Sequence, residues 1–204
     1  HTIKNGVTFL NTDFGEVELQ IFGDHNLMNM TGDRLICQEL DNIEQEFYAA
    51  IQSFTGASKR LELLDKNEHT TIFKDFAHSP SKVEATTKAV KEQYSNRTVL
   101  ACLELHTYSS LNGAFLKEYK GALDAADVAV VFYSPHAVEI KKLKEVTHEQ
   151  IANAFERDNL IIYANPDDFK QFLFSQNFDN KALLLMSSGN YGGLDFEEVK
   201  TLIG

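Results

Sequence analysis

The sequence predicts an α/β protein, a mostly parallel sheet with helices on both faces. Three observations carry this reading. From Thr70 onward, short β-branched and apolar runs alternate with segments of helical spacing, the order that builds βαβ units. The run Val128–Tyr133 is almost wholly apolar, as expected of a strand covered on both faces. Helix-start signals follow several of the strands: Ser79-Pro80, Thr147 with Gln150, and Asn165-Pro166.

Taken in order, Val7 to Leu10 and Val17 to Phe22 read as two strands joined by the polar turn Asn11-Thr12-Asp13. Gly23 to Met30 opens a helix running to about Leu40. Asp41 reads as the N-cap of the next helix, with Glu44 completing a capping box, and Ile43, Phe47, Ala50, Ile51 and Phe54 as its buried face. Gly56-Ala57-Ser58 breaks that helix, and Lys59 to Leu64 follows as a strand. Strand Ile72–Asp75 leads to helix Pro80–Gln93, in which Val83, Thr86, Thr87 and Val90 recur at helical spacing. Strand Thr98–Leu103 leads to a helix through Phe115, Leu116 and Tyr119 that stops near Gly121. After Val128–Tyr133 comes a polar insertion with Lys141, Lys142 and Lys144, then helix Thr147–Phe155. Strand Leu160–Tyr163 leads to a helix from Pro166 through Phe174. Strand Ala182–Met186 runs into the loop Ser187 to Gly193, and a last helix carries Phe196, Val199 and Ile203.

Of the 204 residues, 43% are hydrophobic, enough for a proper core, and 24% are charged. No apolar run approaches the roughly 20 residues of a membrane helix, so no membrane partner is expected. The formal charge of -11 argues against a nucleic-acid partner, because phosphate contacts need clustered Lys and Arg. Cys37 and Cys102 lie in apolar stretches without Cys or His at metal spacing, and read as buried thiols of a reducing, cytoplasmic compartment. The chain starts with His1, nothing near it looks like a signal peptide, and it reads as a piece cut from a longer protein.

Four stretches carry chemistry. In Gly23-Asp24-His25-Asn26-Leu27-Met28-Asn29, two amides three residues apart share one face of a first helical turn. They read either as simple capping residues or as hydrogen-bonding groups for the edge of a purine. In Lys59-Arg60-Leu61-Glu62, a basic pair after a glycine turn is either a solvated pair or a phosphate contact with fork geometry. Asp75-Phe76-Ala77-His78-Ser79-Pro80 places a carboxylate and an imidazole in a strand-to-helix loop beside backbone N–H groups, where open α/β sheets hold ligands. Ser187-Ser188-Gly189-Asn190-Tyr191-Gly192-Gly193 lets backbone approach a ligand, without the Lys-Ser/Thr of a phosphate loop.

The stretch Asp75 to Thr86 closely resembles the opening of the C-terminal domain of the Mur ligases, whose usual form is Asp-Asp-Tyr/Phe-Ala/Gly-His-His-Pro-Thr-Glu. This chain has Lys74 for the first Asp and Ser79 for the second His. Gly23 to Asn29 resembles the family's Gly-x-His-Asn-x-x-Asn, Lys59-Arg60-Leu61-Glu62 its Arg-Arg-Leu/Phe-Glu, and Met186 to Gly193 the Met-Ser-Asn-Gly-Gly-Phe-Gly-Gly of its tripeptide-adding branch. The resemblance implies residues 1–57 as the tail of the central ATPase domain and 58–204 as a C-terminal domain with a Rossmann-like sheet. It implies ATP as cofactor, with Asn26 and Asn29 at the adenine, Arg60 and Asp75 at the ribose and phosphates, and His78 as their loop neighbour. Mg²⁺ is implied too, with its ligands, like the phosphate loop, in domains that this chain lacks.

The implied reaction is ATP-dependent attack of an amino acid or peptide amine on the acyl phosphate of UDP-N-acetylmuramate. In the family the loop matching Leu103 to Ser110 faces the amine. Alanine-adding relatives read Pro-His-Arg-Tyr-x-Arg there, and Thr107 and Ser110 occupy the arginine positions here. His106, Ser188 and Asn190 are the implied substrate contacts. The preferred amine is the tripeptide L-alanyl-γ-D-glutamyl-meso-diaminopimelate, with L-alanine as the alternative. A non-catalytic Rossmann-like ligand-binding module is the reading from another class. The chain alone is expected to be inactive, needing the N-terminal and central domains of the longer protein.

Overall fold

The computed structural model describes residues 1–41, 43–142, 144 and 146–203. An antiparallel three-stranded sheet opens the chain, with β1 (Thr2–Lys4), β2 (Val7–Thr12) and β3 (Gly15–Leu19) in that spatial order. The β2–β3 turn falls at Asp13-Phe14, later than the sequence suggested, because Thr12 pairs with Gly15 and its hydroxyl bonds both Phe14 N–H and the Gly15 carbonyl. Two helices follow, α1 (Asp24–Glu39) and α2 (Glu44–Ile51). Leu27 and Met30 of α1 pack on Val17 and Leu19 of the hairpin and on Ile21 beyond it, with Phe47, Tyr48 and Ile51 of α2 partly buried against them.

Two expectations for this segment fail. Asp41 has φ +60°, a left-handed conformation that an N-cap, which needs extended backbone, does not use. Ile43 takes the cap position of α2 with no side-chain bond, and the Glu44 carboxylate instead accepts from Arg34 at 2.7 Å and from the Tyr48 hydroxyl at 3.1 Å. The predicted buried face of α2 is also only half realised. Phe47 and Ile51 are partly covered, while Ile43, Ala50 and Phe54 are exposed, since within this chain α2 has only α1 and the hairpin to pack on.

A six-stranded sheet forms the rest. Its members are β4 (Glu62–Lys66), β5 (Thr70–Asp75), β6 (Thr98–Leu105), β7 (Val128–Tyr133), β8 (Ile161–Tyr163) and β9 (Lys181–Met186), in the order β4-β5-β9-β6-β7-β8. Only β4 runs antiparallel to its neighbour. On one face pack α3 (Pro80–Gln93), the short α4 (Gly113–Leu116) with its 3₁₀ continuation Lys117–Tyr119, and α6 (His148–Phe155). Their Val83, Val90, Leu116, Tyr119, Ile151 and Phe155 meet Val99, Ala101, Val131 and Leu184. On the other face α7 (Pro166–Ser175) and α8 (Phe196–Lys200) bury Phe169, Leu173 and Val199 against Ile72, Leu100, Val130 and Leu183. The predicted fold class is therefore the observed one.

The helix starts follow the sequence signals closely. Thr147 and Gln150 form the full capping box, and Asn165 accepts from Asp167 N–H at 2.8 Å. Ser79 holds the cap position of α3 with Pro80 after it, but its hydroxyl makes no capping bond. The polar insertion predicted after β7 contains a helix, α5 (Pro135–Ile140), capped by Ser134 with Pro135 in its first turn. It begins with the same Ser-Pro pair as α3. The strand predicted from Lys59 begins only at Glu62, because Lys59 and Leu61 adopt φ of +59° and +46° in a turn. Cys102 is buried in β6, and burial pushes its thiol well above the usual range; Cys37 on α1 is only half-buried, not buried as predicted.

The small sheet and the start of α1 are seated on the large sheet's α3 side. The Thr8 hydroxyl donates to Gln93 Oε1 at 2.9 Å and Gln93 Nε2 donates to the Gly6 carbonyl at 2.7 Å. Phe22 meets Phe73 edge-on at 5.3 Å and Tyr94 at 6.2 Å. Gly23 has φ +84°, and a Cβ there would lie 2.6 Å from the Ala89 side chain, so only glycine lets α1 start against α3.

Tyr191 locks the opposite face. Its ring, 1% exposed, stacks on Phe169 at 4.9 Å, and its hydroxyl lies 2.7 Å from the Cys102 carbonyl and 2.9 Å from that of Met186. Tyr191→Phe keeps the stack and removes the hydroxyl. It is expected to lower unfolding stability by about 1–2 kcal/mol, read from the urea midpoint; an unchanged midpoint would show that the two carbonyls do not depend on it.

Candidate functional site

Two side-chain groups stand at the C-terminal ends of the parallel strands, where such sheets open to ligands. The first surrounds a cavity of about 330 Å³ lined by His25, Asn26, Asn29, Arg60, Asp75 and Lys82, among others. The close approach at Gly23 delivers the first turns of α1 to this hollow, so Asn26 and Asn29 face it together, as their spacing suggested. Asn26 donates one amide hydrogen to the Phe22 carbonyl at 2.9 Å, which fixes the orientation of the amide. Arg60 is exposed on the turn between the left-handed Lys59 and Leu61.

Asp75 ends β5 at 7% exposure. Its two carboxylate oxygens accept from the Leu61 and Ala77 backbone N–H groups. Burial pushes the carboxyl above its ordinary value of 3.8, while the two amides, then His25 and Arg60, pull the other way. Burial likewise pushes the His25 imidazole below 6.5 against the pull of Asp75 and Asp24, so it is uncharged at neutral pH. The cavity thus presents amides, a neutral imidazole, two cations and one anchored carboxylate.

His78, grouped with these residues in the sequence reading, stands apart from the lining. Its Nδ1 bonds the Phe76 carbonyl at 2.8 Å, its ring lies edge-on to Phe76 at 5.1 Å, and its own carbonyl accepts from the Tyr119 hydroxyl.

The second group joins the end of β6 to the loop after β9. Glu104, 2% exposed, accepts from the Ser187 hydroxyl and from Tyr191 N–H at 2.9 Å, and its other oxygen lies 3.5 Å from His106 Nδ1. Ser188 Oγ is buried with no hydrogen-bond partner among the described residues. The Asn190 side chain is exposed, while its carbonyl accepts from Gly193 and Leu194 N–H at 3.0 and 2.8 Å, bending the loop back. Thr107 and Ser110 do not form a hydroxyl-lined pocket. Each hydroxyl bonds the other at 2.9 Å and both bond backbone groups within the same turn. A backbone bond from Ser187 N–H to the Asp75 carbonyl, 2.9 Å, ties the two groups together.

Sequence reasoning named Glu104 only within the loop facing the amine, and did not assign His25 or Lys82 to these groups. Glu104 had a readable signal: a carboxylate inside an apolar strand run needs partners. His25 lay within the Gly23–Asn29 stretch, and nothing in its spacing turned it toward Asp75. Among the described residues no three His, Cys, Asp or Glu side chains are placed to hold a metal ion, and no helix is long and apolar enough to cross a membrane.

The family profile of the Mur ligase, glutamate ligase domain, matches residues 59–189. A UDP-N-acetylmuramate–L-alanine ligase of Sulfurihydrogenibium sp. is 27% identical over 190 residues, covering 92% of this chain and 41% of the relative. One from Carboxydothermus hydrogenoformans is 26% identical, covering 94% and 41%. The chain thus spans about two fifths of the length of the curated relatives it matches. Among solved structures, the UDP-N-acetylmuramate-alanine ligase of Thermotoga maritima superposes with a TM-score of 0.65 at 17% identity, covering 91% of this chain and 38% of that one. A murein peptide ligase of Psychrobacter arcticus gives 0.63 at 20%, covering 92% and 38%. These likenesses show the shared fold, and with the family profile matched over well over half of its residues, the chain belongs to the Mur ligase family.

Proposed function

We propose that this chain is the C-terminal part of an ATP-dependent ligase that joins an amino acid or peptide to UDP-N-acetylmuramate through an acyl phosphate. One observation carries the proposal: Asn26 and Asn29 from one segment and Arg60 and Asp75 from the other converge on a single cavity at the seam. Its donors suit one end of a nucleotide. The amides match a purine edge, the Arg60 fork matches phosphate, and Asp75 stands ready for ribose hydroxyls. A similar fold, the MurF ligase of Thermotoga maritima, was determined in complex with ADP. We place the domain boundary at residues 57–58, with 1–57 closing the site from the ATPase side, and assign Mg²⁺ to residues of the longer protein.

Within the longer protein, ATP supplies the phosphoryl group; the residues described here orient the nucleotide and receive the amine. His106, the orphaned Ser188 hydroxyl and Asn190 form the amine side. The amine we favour is the tripeptide L-alanyl-γ-D-glutamyl-meso-diaminopimelate. Thr107 and Ser110 stand where alanine-adding relatives have arginines, and their hydroxyls are turned to each other, which leaves that turn without a carboxylate clamp. L-Alanine is the second reading, favoured by the names of the curated relatives at 26–27% identity.

Residues 1–204 alone are expected to show no ATP-dependent ligation, and measurable turnover by the isolated chain would defeat the domain assignment. In the full-length ligase, phosphate release with UDP-N-acetylmuramate is expected with the tripeptide and not with L-alanine. Alanine-only turnover would overturn the amine choice, and turnover with neither would leave a binding module. Arg60→Ala is expected to raise the KM for ATP by about tenfold or more, the loss of one charge-assisted contact. An unmoved KM would remove Arg60 from the nucleotide site.

A further inference from the structure

We infer that Glu104 and His106 form a carboxylate–imidazole pair that takes the proton from the incoming amine. The inference rests on the ligase reading above and adds a proton acceptor to it.

Glu104 lies 2% exposed on a strand whose neighbours are apolar, and a carboxylate is kept in such a place only with partners. Its Oε2 is filled by the Ser187 hydroxyl and Tyr191 N–H. Its Oε1 stands 3.5 Å from His106 Nδ1, a facing contact longer than a hydrogen bond. The loop after β9 presses on both groups. A Cβ on Gly189 would lie 2.8 Å from Glu104 Oε2 and 3.0 Å from His106 Cγ, so only glycine permits this closure. Gly189 N–H in turn donates to Ser187 Oγ at 2.6 Å, fixing the hydroxyl that fixes the carboxylate.

The carboxylate is therefore immobilised, and the imidazole turns Nδ1 toward it. That arrangement selects the tautomer with the proton on Nδ1 and leaves the Nε2 lone pair free on the other side of a ring that is 38% exposed.

An amine arrives as an ammonium, which has no lone pair with which to attack. Nε2 removes one proton. The nitrogen lone pair then forms the C–N bond to the acyl carbon of the acyl phosphate, and the C–O bond to phosphate breaks, phosphate leaving with the electron pair. The second nitrogen proton leaves with phosphate, and His106 returns its own to water. His106 touches the reacting amine; Glu104 is a positioning residue.

The test uses the full-length ligase with hydroxylamine and the amine substrate as parallel nucleophiles. Hydroxylamine is a free base at neutral pH, so its hydroxamate reports acyl phosphate without needing a proton acceptor. In His106→Ala and Glu104→Gln the ratio of amide to hydroxamate is expected to fall about 100-fold or more, with added imidazole partly restoring His106→Ala. In ¹⁵N spectra of the present chain the His106 proton is expected on Nδ1, and on Nε2 in Glu104→Gln, where the amide hydrogens face the ring. This spectrum of the unsubstituted chain also stands if Glu104→Gln does not fold. An unmoved ratio in the presence of hydroxamate, or an Nε2 proton in the unsubstituted chain, overturns the pair alone. A wild-type ligase that forms no hydroxamate overturns the ligase reading, and the pair with it.

Discussion

Asp75 holds together three segments of the chain. Its carboxylate accepts from Leu61 N–H in the turn before the large sheet and from Ala77 N–H in the loop before α3, while its backbone carbonyl accepts from Ser187 N–H in the loop after β9. The turn it anchors contains two non-glycine residues in left-handed backbone, each costing about 1–2 kcal/mol. Burial works against the ionised carboxylate, and the two amides offset part of that cost. With this anchor in place, Arg60 is carried to the cavity and the first turn of α3 is positioned beneath α1. Removing it leaves two N–H groups without partners at the place where both segments meet.

The seam is a second constraint, of a different character. Gln93 joins Thr8 to Gly6 through one side chain, and Phe22 packs against Phe73 and Tyr94, which also meet each other. One wall of the cavity therefore comes from the small sheet's segment and the other from the large one. A ligand in it contacts both at once, so its binding and the seating of the two segments are coupled in free energy.

Much of this was legible in the sequence because the signals were local. Period, Ser-Pro and Asn-Pro starts, and the Thr147–Gln150 box each act within a few residues, and they located α3, α6 and α7 to within a residue or so. Failures occurred where distant partners decide. Asp41 looked like a cap, yet the chain leaves α1 there in a left-handed turn. Lys59 and Leu61 looked extended, yet Asp75, fourteen residues on from Leu61, bends them into a turn. The helix after Ser134-Pro135 carries the same start signal as Ser79-Pro80 and was readable from it. In the site, the amide pair and Arg60 followed from spacing and resemblance. The groups that hold Asp75 and Glu104 include Leu61 N–H for the one and Ser187 and Tyr191 for the other, far along the chain, which no local pattern reports.

The order of the strands has a geometric consequence. Asp75 ends β5 and Glu104 lies near the end of β6, with only β9 between them. Adjacent strands lie about 4.8 Å apart, so the two groups are separated by two such steps, roughly 10 Å. This interval is set by backbone hydrogen bonds and not by loop sequence. The loops are free to diverge in what they recognise, while the sheet works as a ruler, and the distance between its two marks changes only in whole strands.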